Sequence, residues 1–231
     1  MARPRTDVNN SHVLLVEGES DRGFFEQVCK RLSLHPAITV AAPKDYQGQA
    51  RNSKQGVLAL LTDLLGNLLD EAAALKCLAV VVDADYQATY GLGYQDTLAQ
   101  VTAIATAYDF ALATPASGGL LFKHSDGLIE FGLWIMPNNQ DEGMLEDFLK
   151  TCICADEQPL FAHATQSIAA LAAPKFKPHH NSKAEVATWL AWQKTPGHGL
   201  YASVNDNLLD TDALLFRQLG AWLQSIYQPL A

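Results

Sequence analysis

The sequence predicts an α/β fold, a parallel sheet flanked by helices, with a mostly helical C-terminal extension. Three observations predict it. Two short Val/Leu-rich runs, HVLLVE at 12–17 and CLAVVVD at 77–83, each end in an acid. Runs this apolar and this short read as strands buried on both faces. Segments of helical period separate them, and strand–helix–strand alternation builds a parallel sheet with helices on its faces. Beyond about residue 155 the pattern turns mostly helical. The 231 residues, 48% hydrophobic, suffice for one sizeable core without disulfides. A single domain is expected, with an α/β core over about 10–150 and the helical extension over about 155–231.

The elements follow in order. Gly18 breaks the first strand, and Ser20 opens an amphipathic helix with Phe24, Phe25, Val28 and Leu32 on one face. AITVAA at 37–42 reads as a strand, and 44–53, with Gly48, as a polar loop. A leucine-rich helix is expected over 54–75, then the strand 77–83. A loop with Gly91 and Gly93 leads to a helix over 96–108 and a strand over 109–114. Ser117-Gly118-Gly119 is a turn. LIEFGLWIM at 128–136 is a strand bounded by Pro137. Asp141 is the expected N-cap of a helix carrying Met144, Leu145, Phe148 and Leu149. Helices are expected over 159–172, 183–193 and 211–227, with 174–182 as a loop. There is no internal repeat.

Composition narrows the function. The net charge of −9 opposes a protein that coats nucleic acid, which needs a basic surface. It admits an enzyme whose acidic site is neutralised by cations. No apolar run reaches the ~18 residues of a membrane span, and MARPRTDVNNSH lacks the apolar stretch of a signal peptide. The expected compartment is the cytoplasm. Cys152 and Cys154 form a CxC pair with no second pair at zinc-finger spacing, and Cys29 and Cys77 stand apart. GxxxxGK[ST], GxSxG, HExxH and GxGxxG are all absent.

In a parallel sheet, ligands bind at the carboxyl ends of the strands. Both acid-terminated strands therefore aim Glu17 and Asp83 at one edge, with Asp85 completing a DxD. Each acid alone reads as a cap of the following helix. Two together read as a site, because converging like charges need a proton or a cation to coexist. Hard carboxylate oxygens suit Mg²⁺ or Mn²⁺.

VLLVEGESD followed by AVVVDAD resembles the TOPRIM domain, whose signature is a Glu after the first strand and a DxD after a later one. That domain occurs in topoisomerases, DnaG-type primases, OLD-family nucleases and small maturation nucleases. FGLWIMPNNQDEGMLEDFL at 131–149 and SKAEVATWLAWQKTPGHGLYASV at 182–204 look like segments of a TOPRIM-like group of uncharacterised bacterial proteins. The resemblance implies a Rossmann-like core and metal-dependent phosphodiester hydrolysis of nucleic acid, DNA or RNA. It gives Glu17 the general acid/base role and Asp83 and Asp85 the metal. One or two ions would be held by Glu17, Asp83, Asp85 and Glu146. It also implies a lysine near the metals, for which Lys183 is the candidate, and an ABC-type ATPase as a partner chain.

Other residues keep two readings. Glu146 faces the site or is a solvated helix acid, since Met144, Leu145, Phe148 and Leu149 set the buried face. Asp147 shares that ambiguity. Glu19 and Asp21 cap the helix or support the site. Lys175, Lys177, His179, His180 and Lys183, with Phe176 among them, are a solvated loop or a receiver for a phosphate backbone and a stacked base. Lys183 also opens a helix, where backbone N–H groups favour anions. The histidine pair lacks the spacing of a zinc site. Trp134, Trp189, Trp192 and Trp222 are core or interface residues, and aromatic-rich C-terminal helices suit a homodimer. Two other functions compete. One is a non-catalytic Mg²⁺-binding regulatory module. The other is nucleotidyl transfer as in primases, opposed by the lack of a zinc-binding domain or nucleotide-binding loop. A strand-passing topoisomerase would need a DNA-binding region with a catalytic tyrosine.

Overall fold

The computed structural model describes residues 11–41, 53–89, 91–113 and 118–228. Its strands are β1 (His12–Val16), β2 (Ala37–Val40), β3 (Cys77–Asp83), β4 (Phe110–Ala113), β5 (Leu120–His124) and β6 (Glu130–Met136). They form one sheet in the order β2-β1-β3-β6-β5-β4. The first four in that order run parallel, and β5 and β4 close the edge antiparallel. The carboxyl ends of β1 and β3, the two strands with the terminal acids, are thus adjacent.

Strand side chains alternate between two layers. Leu14, Val16, Ala79, Val81, Trp134 and Met136 point to one; Val13, Leu15, Val80, Val82, Leu133 and Ile135 point to the other. The second layer is covered by α2 (Ser53–Leu69) and α3 (Gly93–Thr106). The first is covered by α1 (Glu19–Arg31), α4 (Leu145–Cys152), α5 (Gln158–Ala169), α6 (Asn181–Ala191), α7 (Tyr201–Asn205) and α8 (Leu214–Tyr227). The helical C-terminal region is therefore not an appendage. Trp222 and Ile226 of α8 lie directly over Gly132 and Gly119, and the Tyr227 hydroxyl donates to the Val13 carbonyl at 2.6 Å. Trp134, Trp189 and Trp222 are buried as expected, whereas Trp192 is exposed.

The structure departs from the sequence reading in several places. Strand β5 is unpredicted: LLFKH has no turn signal of its own and pairs only because β6 and β4 flank it. Strand β6 starts at 130 rather than 128, because a turn at Asp126–Gly127 claims the preceding residues; Asp126 Oδ1 accepts the Leu128 N–H. Helix α2 stops at Leu69 rather than 75, where Asp70 Oδ1 takes the Ala72 N–H and turns the chain. Asp141 does not cap α4. It is exposed and accepts from Asn138 Nδ2, and the helix starts after Met144, whose N–H is taken by Asp147 Oδ2 at 3.0 Å. The short α7 was also unpredicted. Positions 44–52 of the expected loop lie outside the described residues. Among the described residues, no helix is long and apolar enough to cross a membrane.

Gly132 is a tight point of the α8–sheet contact, since a Cβ there would collide with Ile226 and meet the Trp222 ring at 3.0 Å. Gly132→Val is expected to cost about 1–3 kcal/mol by overpacking, read as a lowered urea midpoint. An unchanged midpoint would show that α8 does not sit on this strand.

Candidate active site

The site begins where β1 and β3 end. Glu17 follows β1, and its Oε1 accepts the Asp83 backbone N–H at 3.0 Å. Its Oε2 accepts from Ser53 Oγ at 3.3 Å, at the start of α2. Asp83 closes β3, and its Oδ1 accepts the Leu145 N–H at 3.0 Å. That bond draws the first turn of α4 onto the strand end and brings Glu146 to the same cleft. Gly18 leads into α1, which places Asp21 one turn beyond Glu17. The cleft holds about 290 Å³ and is lined by Glu17, Asp21, Ser53, Asp83, Glu146 and Lys183. Glu17, Asp83 and Glu146 are each only 8–9% exposed.

Burying carboxylates side by side favours their protonated forms. Burial raises Glu17 to about 7, against the attraction of Lys54 and with added repulsion from Asp85 and Asp21. Asp83 is driven well above the carboxylate range, first by burial and then by Glu17, Asp21 and Glu146. Burial also raises Asp21 and Glu146, and for both Lys183 pulls the other way. Partial burial works against the Lys183 ammonium, but the attraction of Glu146, Asp83, Asp21 and Glu17 outweighs it and raises its pKa. Lys183 is thus a cation lining the cleft with these acids, while Lys54 acts on Glu17 from outside it.

Asp147, one residue past Glu146, holds Lys183 in register. Its Oδ1 accepts from Ser182 Oγ at 2.6 Å, and its Oδ2 accepts from the Tyr86 hydroxyl at 2.5 Å as well as the Met144 N–H. Lys150 adds a bond to Ser182 Oγ at 3.2 Å and an ion pair with Glu185 at 2.7 Å. Helices α4 and α6 are locked by side chains flanking the two cleft residues.

Four of the five expected site residues, Glu17, Asp83, Glu146 and Lys183, line one cleft. Asp85 stands apart. Its backbone has a positive φ of 62° and bridges to Gly143, and its carboxylate accepts from the buried Lys54 ammonium at 2.5 Å. It reaches the cleft through its charge, which acts on Glu17. Glu19 lies at the rim of the cleft, where it is exposed and pairs with Arg22 at 3.7 Å. In the basic stretch, Lys175 and Lys177 are exposed and His179 packs against His180, so only Lys183 reaches the acids. Lys54 carries no mark in the sequence, and of the two readings of Asp21 the structure selects the one that supports the site. Asp21 was visible at one helical turn from Glu17, whereas a lone lysine opening a leucine-rich helix carried no signal.

The donor set consists of hard oxygens that repel one another, which suits a divalent cation. Among the described residues, no three His, Cys, Asp or Glu side chains are gathered closely enough to grip an ion as they stand.

One family model matches residues 11–228 of the chain. The chain belongs to the DUF3226 family, described as "Protein of unknown function (DUF3226)". No curated protein and no solved structure matches it. The matched stretch takes in every DUF3226 element described above, including both acid-terminated strands, Glu146 and Lys183.

The raised carboxylates set the pH response of the metal-free protein. A carboxylate with a raised pKa in the fold binds its proton more tightly there than in the unfolded chain. Its contribution is full below the ordinary carboxylate range and is lost as pH rises through about 7, the value for Glu17. In EDTA the urea midpoint is expected to fall between pH 5 and pH 8, and Glu17→Gln to flatten the fall. A midpoint that rises over this range in the wild type would contradict the buried acid cluster.

Proposed function

We propose that the cleft is a TOPRIM-type phosphodiesterase site, dependent on Mg²⁺ or Mn²⁺ and acting on nucleic acid. The observation that carries this reading is the convergence of three buried carboxylates, Glu17, Asp83 and Glu146, on one cleft that also receives Lys183. The resemblance of VLLVEGESD and AVVVDAD to the TOPRIM signature supports it independently. Asp83, Glu146, Glu17 and Asp21 would hold the ion. A bound divalent cation supplies charge that offsets the negative charge developing on the transferred phosphoryl group.

The chain's own residues do the rest. Lys183 binds a non-bridging phosphate oxygen as a mobile point charge. Glu17, fixed by Ser53 and by the Asp83 N–H, accepts the proton of the attacking water at a carboxylate oxygen. The water oxygen bonds to phosphorus, the ester P–O bond breaks, and the leaving oxygen takes a proton from solvent. The Lys54–Asp85 pair sets the charge beside Glu17 without entering the cleft. With a net charge of −9, the protein favours delivery of the polymer by a partner chain, for which an ABC-type ATPase fits the resemblance.

The test is cleavage of single- and double-stranded DNA and of RNA in Mg²⁺, Mn²⁺ or EDTA. Cleavage is expected only with metal. Glu17→Gln and Asp83→Asn should each lower the rate by about 10²–10⁴-fold, and Lys183→Ala by less. Wild-type cleavage in both carboxylate variants would place the chemistry elsewhere. Metal binding that needs these acids, with no cleavage of any polymer, would make the chain a Mg²⁺-binding module instead.

A further inference from the structure

The acidic cleft does not end at Lys183. A second cavity of about 350 Å³ opens beside it and shares Ser20, Glu146, Lys183 and Leu200 as a common wall. Its far side has a different chemistry. Ala187, Leu190 and Ala191 of α6 form one flank, and the segment Gly197-His198-Gly199 forms the other. Glu146 is the one carboxylate among its lining residues, and it lies in the shared wall. Among the described residues, the ionisable side chain in the lining away from that wall is His198, whose ring leans on Tyr201 with centroids 5.5 Å apart and planes at 33°. The two cavities therefore pair an anion-handling end with an apolar end that carries one aromatic face, and Lys183 stands between them.

We propose that the second cavity receives the nucleoside attached to the phosphate held in the first. The substrate is then an unpaired nucleotide in a single strand, not one stacked in a duplex. This inference rests on the phosphodiesterase reading and adds the substrate class to it. Size favours it, since about 350 Å³ lies at the lower end of ligand pockets and suits one nucleoside. Chemistry favours it as well. Every base has an apolar face that an aliphatic wall and an imidazole can cover, and His198 can also bond a base edge. Reach favours it again: the cavity is open to solvent, but the face of a base paired inside a duplex is covered by its stacked neighbours and meets the apolar wall only when the base leaves the stack. The order of groups matches a nucleotide: acids and lysine at the phosphate, then an apolar slot for the base.

The test measures binding by calorimetry in Mg²⁺, using the full chain and two probes, deoxyribose 5-phosphate and thymidine 5′-monophosphate. The nucleotide is expected to bind about 5-fold or more tighter than the sugar phosphate, the increment of one stacked base. Ala191→Phe, on an exposed position that lines the cavity, should erase that increment and leave the sugar phosphate affinity as the floor. His198→Ala should lower it in part. Phosphorothioate oligonucleotides of equal length and base composition, one unable to pair and one folded into a hairpin, then compete for the nucleotide, and the single strand should win. Equal affinity for the two probes would overturn the base pocket and leave the phosphodiesterase site standing. So would an increment untouched by both variants, or a hairpin that competes as well as the single strand. If neither probe binds, both readings fall together.

Discussion

Asp83 is the residue on which the site depends. Its backbone N–H is bonded to Glu17 and its side chain accepts from the first turn of α4. One bond ties the ends of two adjacent parallel strands together; the other docks a helix that arrives 62 residues later. The arrangement is costly by itself, because it holds buried carboxylates against one another. The fold sustains it with backbone N–H donors and the ammonium groups of Lys183 and Lys54, and it leaves the remaining charge for a cation or a proton to neutralise.

The rest of the molecule holds that cluster in place. The two apolar layers bury β1 and β3 almost completely, so Glu17 and Asp83 emerge from a rigid edge instead of a loop. Helices α4 and α6 are cross-linked by Asp147 and Lys150 to Ser182 and Glu185, with Tyr86 anchoring Asp147 from the loop after β3, which sets Lys183 against Glu146. Helix α8 seals the sheet through Trp222, Ile226 and Tyr227, so the C-terminal helices are part of the core that supports the site. A separate pair, Lys54 with Asp85, balances charge behind Glu17.

Much of this was legible in the residues. Strand 77–83 was read to its ends, because an unbroken apolar run stopped by an acid has few other solutions. The convergence of Glu17 and Asp83 followed from parallel topology. The DxD spacing was read as two ligands turned to one ion, yet Asp85 turns to Lys54, since a positive φ after Ala84 redirects its side chain. No local pattern announces that partner, which lies 31 residues away. Strand β5 was missed for a related reason: it is a strand by virtue of its neighbours, not of its own periodicity.

By itself the sequence determined the strand–helix alternation up to β4, the burial of β1 and β3, and the edge where the acids emerge. These follow from periods of two and 3.6 and from the handedness of parallel connections. Only the tertiary structure decided that Glu146 points into the cleft and Asp147 away from it, that Asp21 joins the acids, and that Lys183 faces them. It alone placed the apolar cavity beside Lys183. These choices turn on contacts between segments far apart in the chain, where burial and hydrogen bonding, not local propensity, select the rotamer and the partner.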